Sequence, residues 1–135
     1  MQFDNKMNST GNQAQRKAMM VDEDKDRYRR KERTTFLKEA GFKVYPVLRM
    51  PDARGRCKPG AFDLIVVNAT QNPNPALELC DDIQKCNQNQ RLFLVADENA
   101  GLPNRDYIVS NWEELRNRIA PPGSTEEKKR ELVAA

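Results

Sequence analysis

The sequence predicts one α/β domain built on a doubly wound parallel sheet. Short apolar runs alternate with segments of helical character, and the strongest run, 62–67, is continuous, as in a strand that is buried on both faces. Strands that alternate with helices are typical of a parallel sheet covered on both sides, and right-handed crossovers make the doubly wound arrangement the default. The 135 residues fit one such domain and leave little for a second.

The first two helices carry signals of different strength. A helix is expected at 26–40, because it begins with acidic residues and meets Gly41, a residue type that ends helices. A second helix within 51–59 is the weakest, since glycine and flanking prolines interrupt it. The strands are expected at 18–21, 42–48, 62–67, 92–96 and 107–109.

The later helices have clearer starting signals. A third helix is expected to begin at Pro75 with Asn74 as its cap, and to bury Cys80 and Cys86 against the sheet. The pattern Ser-x-x-Glu that begins at Ser110 is expected to cap a last helix.

Composition and the chain ends limit the function classes. Residues 1–16 predict a disordered tail, 17–120 the domain, and 121–135 a second tail with at most a short helix. Apolar runs are too short for a membrane span and the first residues lack a secretory core, so we expect a cytoplasmic protein. Histidine is absent, which excludes Ser-His-Asp and Cys-His catalysis, and the three cysteines form no CxxC pair of a zinc or disulfide framework.

The residues that follow the predicted strands are the candidates for function. In doubly wound sheets, ligand-contacting residues gather just beyond the carboxyl ends of the strands. Here those positions hold Asp22, Glu23 and Asp24 after the first strand, Asn68 after the third, Ala96 after the fourth and Ser110 after the fifth.

This arrangement resembles the response-regulator receiver family of two-component signalling. The matching segments lie within 17–120 and read AMMVDED, LKEAGFKVYPV, FDLIVVN, ALELCDDI, RLFLVADE and DYIVSNWEELRNRI. The resemblance implies a flavodoxin-like, five-stranded parallel sheet in the order 2-1-3-4-5. It also implies a role in a phosphorelay, with a sensor kinase or an output protein as the partner.

The resemblance implies a defined set of chemical roles at the strand ends. An acidic pair after strand one holds Mg²⁺, and an aspartate after strand three accepts a phosphoryl group from a kinase histidine. A serine or threonine after strand four and a lysine after strand five contact the phosphate. Asp22 and Glu23 match the acidic pair, and Asp24 is an alternative member.

Three of these positions are replaced in this chain. Asn68 stands at the phosphoacceptor position, Ala96 at the hydroxyl position and Ser110 at the lysine position. A carboxamide is a poor nucleophile, an alanine cannot bond a phosphate, and a serine carries no charge. We expect no cofactor beyond weak Mg²⁺ binding at Asp22 and Glu23.

The sequence therefore predicts a stand-alone pseudo-receiver that is not an enzyme, is not phosphorylated and acts by binding another protein. Only 13 residues separate Ala96 from Ser110, so the fourth helix of the family is expected to be shortened or absent. The oligomeric state is left open.

Two alternatives use other parts of the sequence. The basic stretch 27–33 could bind nucleic acid, although a solvated helix face paired with nearby carboxylates explains it more simply. The start of the fold and the run 62–65 faintly resemble metal-dependent nuclease cores, but the E-x-K element expected at Glu78 is missing. The basic stretch contains Arg27, Arg29, Arg30, Lys31 and Arg33.

Overall fold

A computed structural model describes residues 15–119, which form a five-stranded parallel sheet with helices on both faces. The strand order is β2-β1-β3-β4-β5, and every neighbouring pair is parallel. This order confirms the predicted doubly wound topology. The strands are β1 (Arg16–Val21), β2 (Phe42–Val47), β3 (Leu64–Asn68), β4 (Leu92–Val95) and β5 (Ile108–Val109).

The structure describes four α-helices. The helix that the sequence predicts to be shortened or absent, between β4 and β5, is absent. The segment between β4 and β5 contains a single turn of 3-10 helix, Glu98–Ala100, in place of an α-helix. The α-helices are α1 (Arg27–Glu39), α2 (Met50–Arg56), α3 (Pro73–Cys86) and α4 (Trp112–Ile119).

Alternation along the strands divides the core into two apolar layers. In β1, Met19 and Val21 face the layer under α2 and α3, whereas Ala18 and Met20 face the layer under α1 and α4. All five residues of β3 are buried, which confirms the expectation of a strand covered on both faces. The sheet therefore lies between helices that pack on both of its faces.

Several predicted boundaries were wrong by one or two residues. The helix α3 begins at Pro73, with Asn72 at the cap position, and not at Pro75 after Asn74. Two prolines fit this first turn because the backbone N–H groups there have no partner within the helix. Cys86 is exposed rather than buried, since it is the last residue of α3.

The residue that caps the last helix is Asn111, one position later than the predicted Ser110. The Asn111 side chain accepts a hydrogen bond from the backbone N–H of Glu114 at 2.8 Å, and the Glu114 carboxylate accepts one from the Ser110 N–H at 2.9 Å. Asn111 therefore caps the helix, while the return bond from Glu114 goes to the N–H of Ser110, the residue before the cap, so the pair is a variant of the capping box. At the end of α1, Gly41 has a φ of 100°, as expected for a helix-terminating glycine.

The first strand begins earlier than predicted. β1 begins at Arg16, the last residue of the range expected to be a tail. The expectations for 1–14 and 120–135 lie outside the described residues. Within 15–119, no helix has the length and apolar character needed to cross a membrane.

The two cysteines of α3 should differ in reactivity. Burial raises the pKa of the Cys80 thiol far above its usual value, and its side chain is fully enclosed, whereas Cys86 is exposed. We expect iodoacetamide at mildly alkaline pH to alkylate Cys86 at least about tenfold faster than Cys80. Peptide mapping after timed labelling measures both rates, with urea-unfolded protein as the control in which all three thiols react. Equal rates in native buffer would contradict the burial of Cys80.

Candidate functional site

The candidate site lies where β1 and β3 end beside each other in the sheet. Val21 and Val67 are partners in the register, so the residues that follow them, Asp22 and Asn68, emerge at the same edge. Both side chains are buried, with about 2% of their surface exposed. The Asn68 Nδ2 donates a hydrogen bond of 2.9 Å to Asp22 Oδ1. The structure therefore brings together two of the residues selected from the sequence.

A guanidinium from α1 lies between two carboxylates of the acidic loop, the name used here for residues 22–24. Arg33 Nη1 is 2.9 Å from Asp22 Oδ2, 3.1 Å from Asp22 Oδ1 and 3.0 Å from Asp24 Oδ2. One nitrogen thus contacts three carboxylate oxygens. Side chains of a helix point towards its amino terminus, so Arg33, two turns into α1, reaches back to the loop that precedes the helix.

Backbone hydrogen bonds fix the carboxylates of the acidic loop. Asp24 Oδ1 accepts the N–H of Asp26 at 2.9 Å, and Asp22 Oδ1 accepts the N–H of Asp24 at 3.1 Å. Asp26 in turn caps α1 by accepting the N–H of Tyr28 at 2.9 Å. The loop and the start of the helix therefore form one hydrogen-bonded unit.

The charges of this unit stabilise one another. The backbone bond from Asp26 lowers the pKa of Asp24; burial opposes this, and Arg33 lowers the pKa further, so the net shift is downward. Burial works to lower the pKa of Arg33, but its bonds to Asp22 and Asp24 outweigh burial and raise it. Asp24 and Arg33 are therefore held as a charged pair at neutral pH.

The amide of Asn68 has partners on both of its polar atoms. Its Oδ1 accepts a hydrogen bond of 3.1 Å from Thr70 Oγ1, and its Nδ2 also lies 3.4 Å from Gln71 Oε1. An ionised carboxylate can only accept, so the nitrogen must be the atom that faces Asp22. An aspartate at this position would place a second carboxylate against Asp22, which explains physically why an amide fits here.

Glu23 points away from the other two acidic residues. Its Oε2 accepts the backbone N–H of Met50 at 2.8 Å, and its Oε1 accepts Asn72 Nδ2 at 2.8 Å. Glu23 thereby supplies the hydrogen bond at the start of α2 that the side chain at its cap position, Arg49, does not make. Within residues 15–119 no group of three or more His, Cys, Asp or Glu side chains is placed to hold a metal ion.

The remaining two candidates, Ala96 and Ser110, lie further from Asp22. Ala96 is buried in the apolar layer under α2 and α3, and its N–H donates to the Val109 carbonyl at 3.1 Å. Ser110 is exposed and lines an open cavity of about 290 Å³ beside the end of β3. The other residues that line this cavity are Thr70, Val95, Asp97, Glu98, Asn111 and Trp112.

Sequence reasoning missed the contribution of α1 to this site. The sequence places Arg33 in the basic stretch 27–33, for which it predicts only a pairing with nearby carboxylates. The sequence signal that could have revealed this contact is the position of Arg33 two turns beyond the helix cap. From there its side chain points back towards the acidic loop. Thr70 and Gln71, which bond Asn68, were missed because loop side chains have no periodic pattern.

Other arginines of the stretch 27–33 also contact the acidic loop. Arg30 Nη1 donates to the Asp24 carbonyl at 2.7 Å. Arg29 lies 3.6 Å from Asp26 and 4.0 Å from Asp24, with 61% of its side chain exposed. These contacts favour the simpler interpretation of a helix paired with nearby carboxylates over a nucleic-acid interface.

The fold is that of receiver domains. The Francisella response regulator 1452 receiver domain is similar with a TM-score of 0.61 and 17% identity, over 77% of this chain and 93% of that chain. A structure of histidine kinase ThkA in complex with response regulator protein TrrA gives 0.59 and 20%, over 76% and 95%. Vibrio cholerae chemotaxis protein CheY4 gives 0.52 and 15%, over 90% and 98%.

These likenesses confirm the fold that the sequence pattern predicted. No protein-family model matches the sequence, and no curated protein matches it significantly. The chain therefore has the receiver fold of response regulators, with a sequence far from those of the similar structures.

Removal of the guanidinium should destabilise the domain strongly. Arg33→Ala removes the partly buried cation that contacts both Asp22 and Asp24, and breaking such a pair costs about 3 kcal/mol of unfolding free energy. Urea unfolding followed by circular dichroism at neutral pH measures this loss. Arg29→Ala is the matched control, since it removes an exposed arginine near the same Asp24 and should cost under about 0.5 kcal/mol. Equal losses in the two variants would contradict the arrangement.

The acidic loop should also contribute to acid unfolding. The folded-state pKa of Asp24 is lowered, so its stabilisation is complete above the unfolded pKa of roughly 4 and is lost as pH falls towards the folded value. Between about pH 6 and about pH 3, the wild type should therefore lose more unfolding free energy than Asp24→Asn. Urea midpoints across this range provide the measurement, and parallel curves for the two proteins would contradict it.

Proposed function

We propose that this chain is a cytoplasmic receiver-like signalling module that is not phosphorylated, is not an enzyme and acts by contact with another protein. The observation that carries the proposal is the neutral amide of Asn68 at the buried end of β3, bonded to Asp22 and Thr70. In the receiver family, the resemblance assigns that position to an ionised aspartate that attacks a phosphoryl group. A carboxamide carries no negative charge and the lone pair of its nitrogen is delocalised into the carbonyl group, so Asn68 is a poor nucleophile for that attack.

The surroundings of Asn68 also suit this proposal. Ala96 offers only a methyl group, and Ser110 has no charge to offset a phosphoryl group. The neighbouring cavity contains the carboxylates of Asp97 and Glu98 and, among its described lining residues, no basic side chain. A phosphate that entered this cavity would meet like charge instead of the cation that phosphoryl transfer requires.

The proposed partner is a sensor kinase or an output protein. One of the similar structures is that of a histidine kinase in complex with a response regulator protein. On this chain, large apolar side chains are exposed close to the carboxyl-terminal edge of the sheet: Tyr28 with 82% and Leu48 with 54% of their surface. Such side chains supply contact area when a partner covers them.

Acetyl phosphate with Mg²⁺ should not phosphorylate the wild-type protein. We expect the intact mass to stay unchanged after incubation, because Asn68 cannot form an acyl phosphate. A receiver domain with an intact aspartate, mixed into the same reaction, is the control and should gain the mass of a phosphoryl group. A phosphoryl group on this chain that maps within 15–119 would overturn the proposal.

Partner binding should be independent of the same reagents. A protein captured on the immobilised chain should be retained equally with and without acetyl phosphate and Mg²⁺. Tyr28→Ala should weaken that capture, whereas the exposed Lys85→Ala on α3 is the control that should not. Capture that appears only after treatment with acetyl phosphate would contradict a phosphorylation-independent role.

A further inference from the structure

The two buried carboxylates of the acidic loop need a cation, and the resemblance to the receiver family implies that a divalent metal binds there. Asp22 and Asp24 are only 2% and 6% exposed. Burying such charges is costly unless they are paired and hydrogen-bonded. In this chain the pairing comes from Arg33, whose side chain is 15% exposed and whose Nη1 meets three of their oxygens.

The residues present do not fit a divalent ion. Mg²⁺ prefers near-octahedral oxygen ligands, including a few convergent carboxylates. Here Asp24 Oδ1 is occupied by the Asp26 N–H, and Glu23 is turned towards Met50 and Asn72. The oxygens that remain, on Asp22 and on Asp24 Oδ2, are those that Arg33 contacts. A metal ion and the guanidinium would compete for the same atoms.

We infer that Arg33 is a built-in cation that replaces the divalent metal of the receiver fold. Because it is part of α1, it is always present at the acidic loop and does not depend on the concentration of any ion. Through Asp22 it also stabilises the position of Asn68, since both bond the same Asp22 Oδ1. In this inference, Arg33 prevents the weak Mg²⁺ binding that the sequence predicts at Asp22 and Glu23.

Trp112 provides a direct readout of this site. It is the single tryptophan of the chain, and the Arg33 Cζ lies 5.8 Å from the centre of its ring. A paramagnetic ion such as Mn²⁺ bound in place of the guanidinium would quench the fluorescence of Trp112. Titration with Mn²⁺ therefore reports occupancy of the acidic loop without requiring any activity.

The wild type should show no saturable quenching at millimolar Mn²⁺. Arg33→Ala should show saturable quenching, with an apparent Mn²⁺ affinity at least about tenfold higher than that of the wild type. Arg33→Gln, which keeps a polar side chain without the charge, should gain affinity in the same direction. Adding Asp22→Asn to Arg33→Ala should abolish the gain. Arg54→Ala, which removes the same charge from α2 away from the site, is the control and should behave as the wild type.

Two results would overturn the inference. The first is saturable, Asp22-dependent Mn²⁺ binding by the wild type, which decides the question even if the Arg33 variants do not fold. The second is a folded Arg33→Ala and Arg33→Gln pair without any gain in Mn²⁺ affinity. Circular dichroism verifies folding, and recovery of folded Arg33→Ala on addition of Mn²⁺ would support the inference. The inference about Arg33 does not rest on the proposed function. Mn²⁺ binding by a wild type that is not phosphorylated would overturn the inference and leave the proposed function in place.

Discussion

The two carboxylates buried at the end of β1 impose the requirement that the rest of the site satisfies. A carboxylate enclosed by apolar layers is tolerated only with a cation and enough hydrogen-bond donors around it. Asp22 obtains these donors from Arg33, from the Asp24 backbone and from Asn68. Three separate elements are thereby held at one point: the acidic loop, the second turn of α1 and, 46 residues away from Asp22 in sequence, the end of β3.

This arrangement relates the identity of Asn68 to that of Arg33. With an arginine as the cation, the contacts of Asp22 require a neutral donor at the end of β3, and an amide meets that need. A carboxylate at the same place would add a third buried negative charge against one guanidinium. The amide, the guanidinium and the turned-away Glu23 are therefore mutually consistent, and they agree with the inference that Arg33 takes the place of a divalent ion.

The region between β4 and β5 agrees with this picture at the level of the fold. A single 3-10 turn takes the place of a helix, and Asp97 caps it by accepting the Asn99 N–H at 3.0 Å. Acidic side chains therefore lie beside the end of β3, at the place where a receiver that binds a phosphate needs positive charge.

The sequence by itself determined the fold, because continuous apolar runs, a helix-ending Gly41 and short crossovers leave few arrangements other than a doubly wound parallel sheet. It also predicted a candidate site at the strand ends that includes Asn68, and the structure places Asn68 in hydrogen-bond contact with Asp22. Boundaries at Pro73 and Asn111 were misplaced, since several capping residues in a row compete locally. Only the tertiary structure decided that Arg33 is the cation of the acidic loop and that Glu23 turns away. Those contacts depend on side-chain directions between elements, which no pattern along one segment encodes.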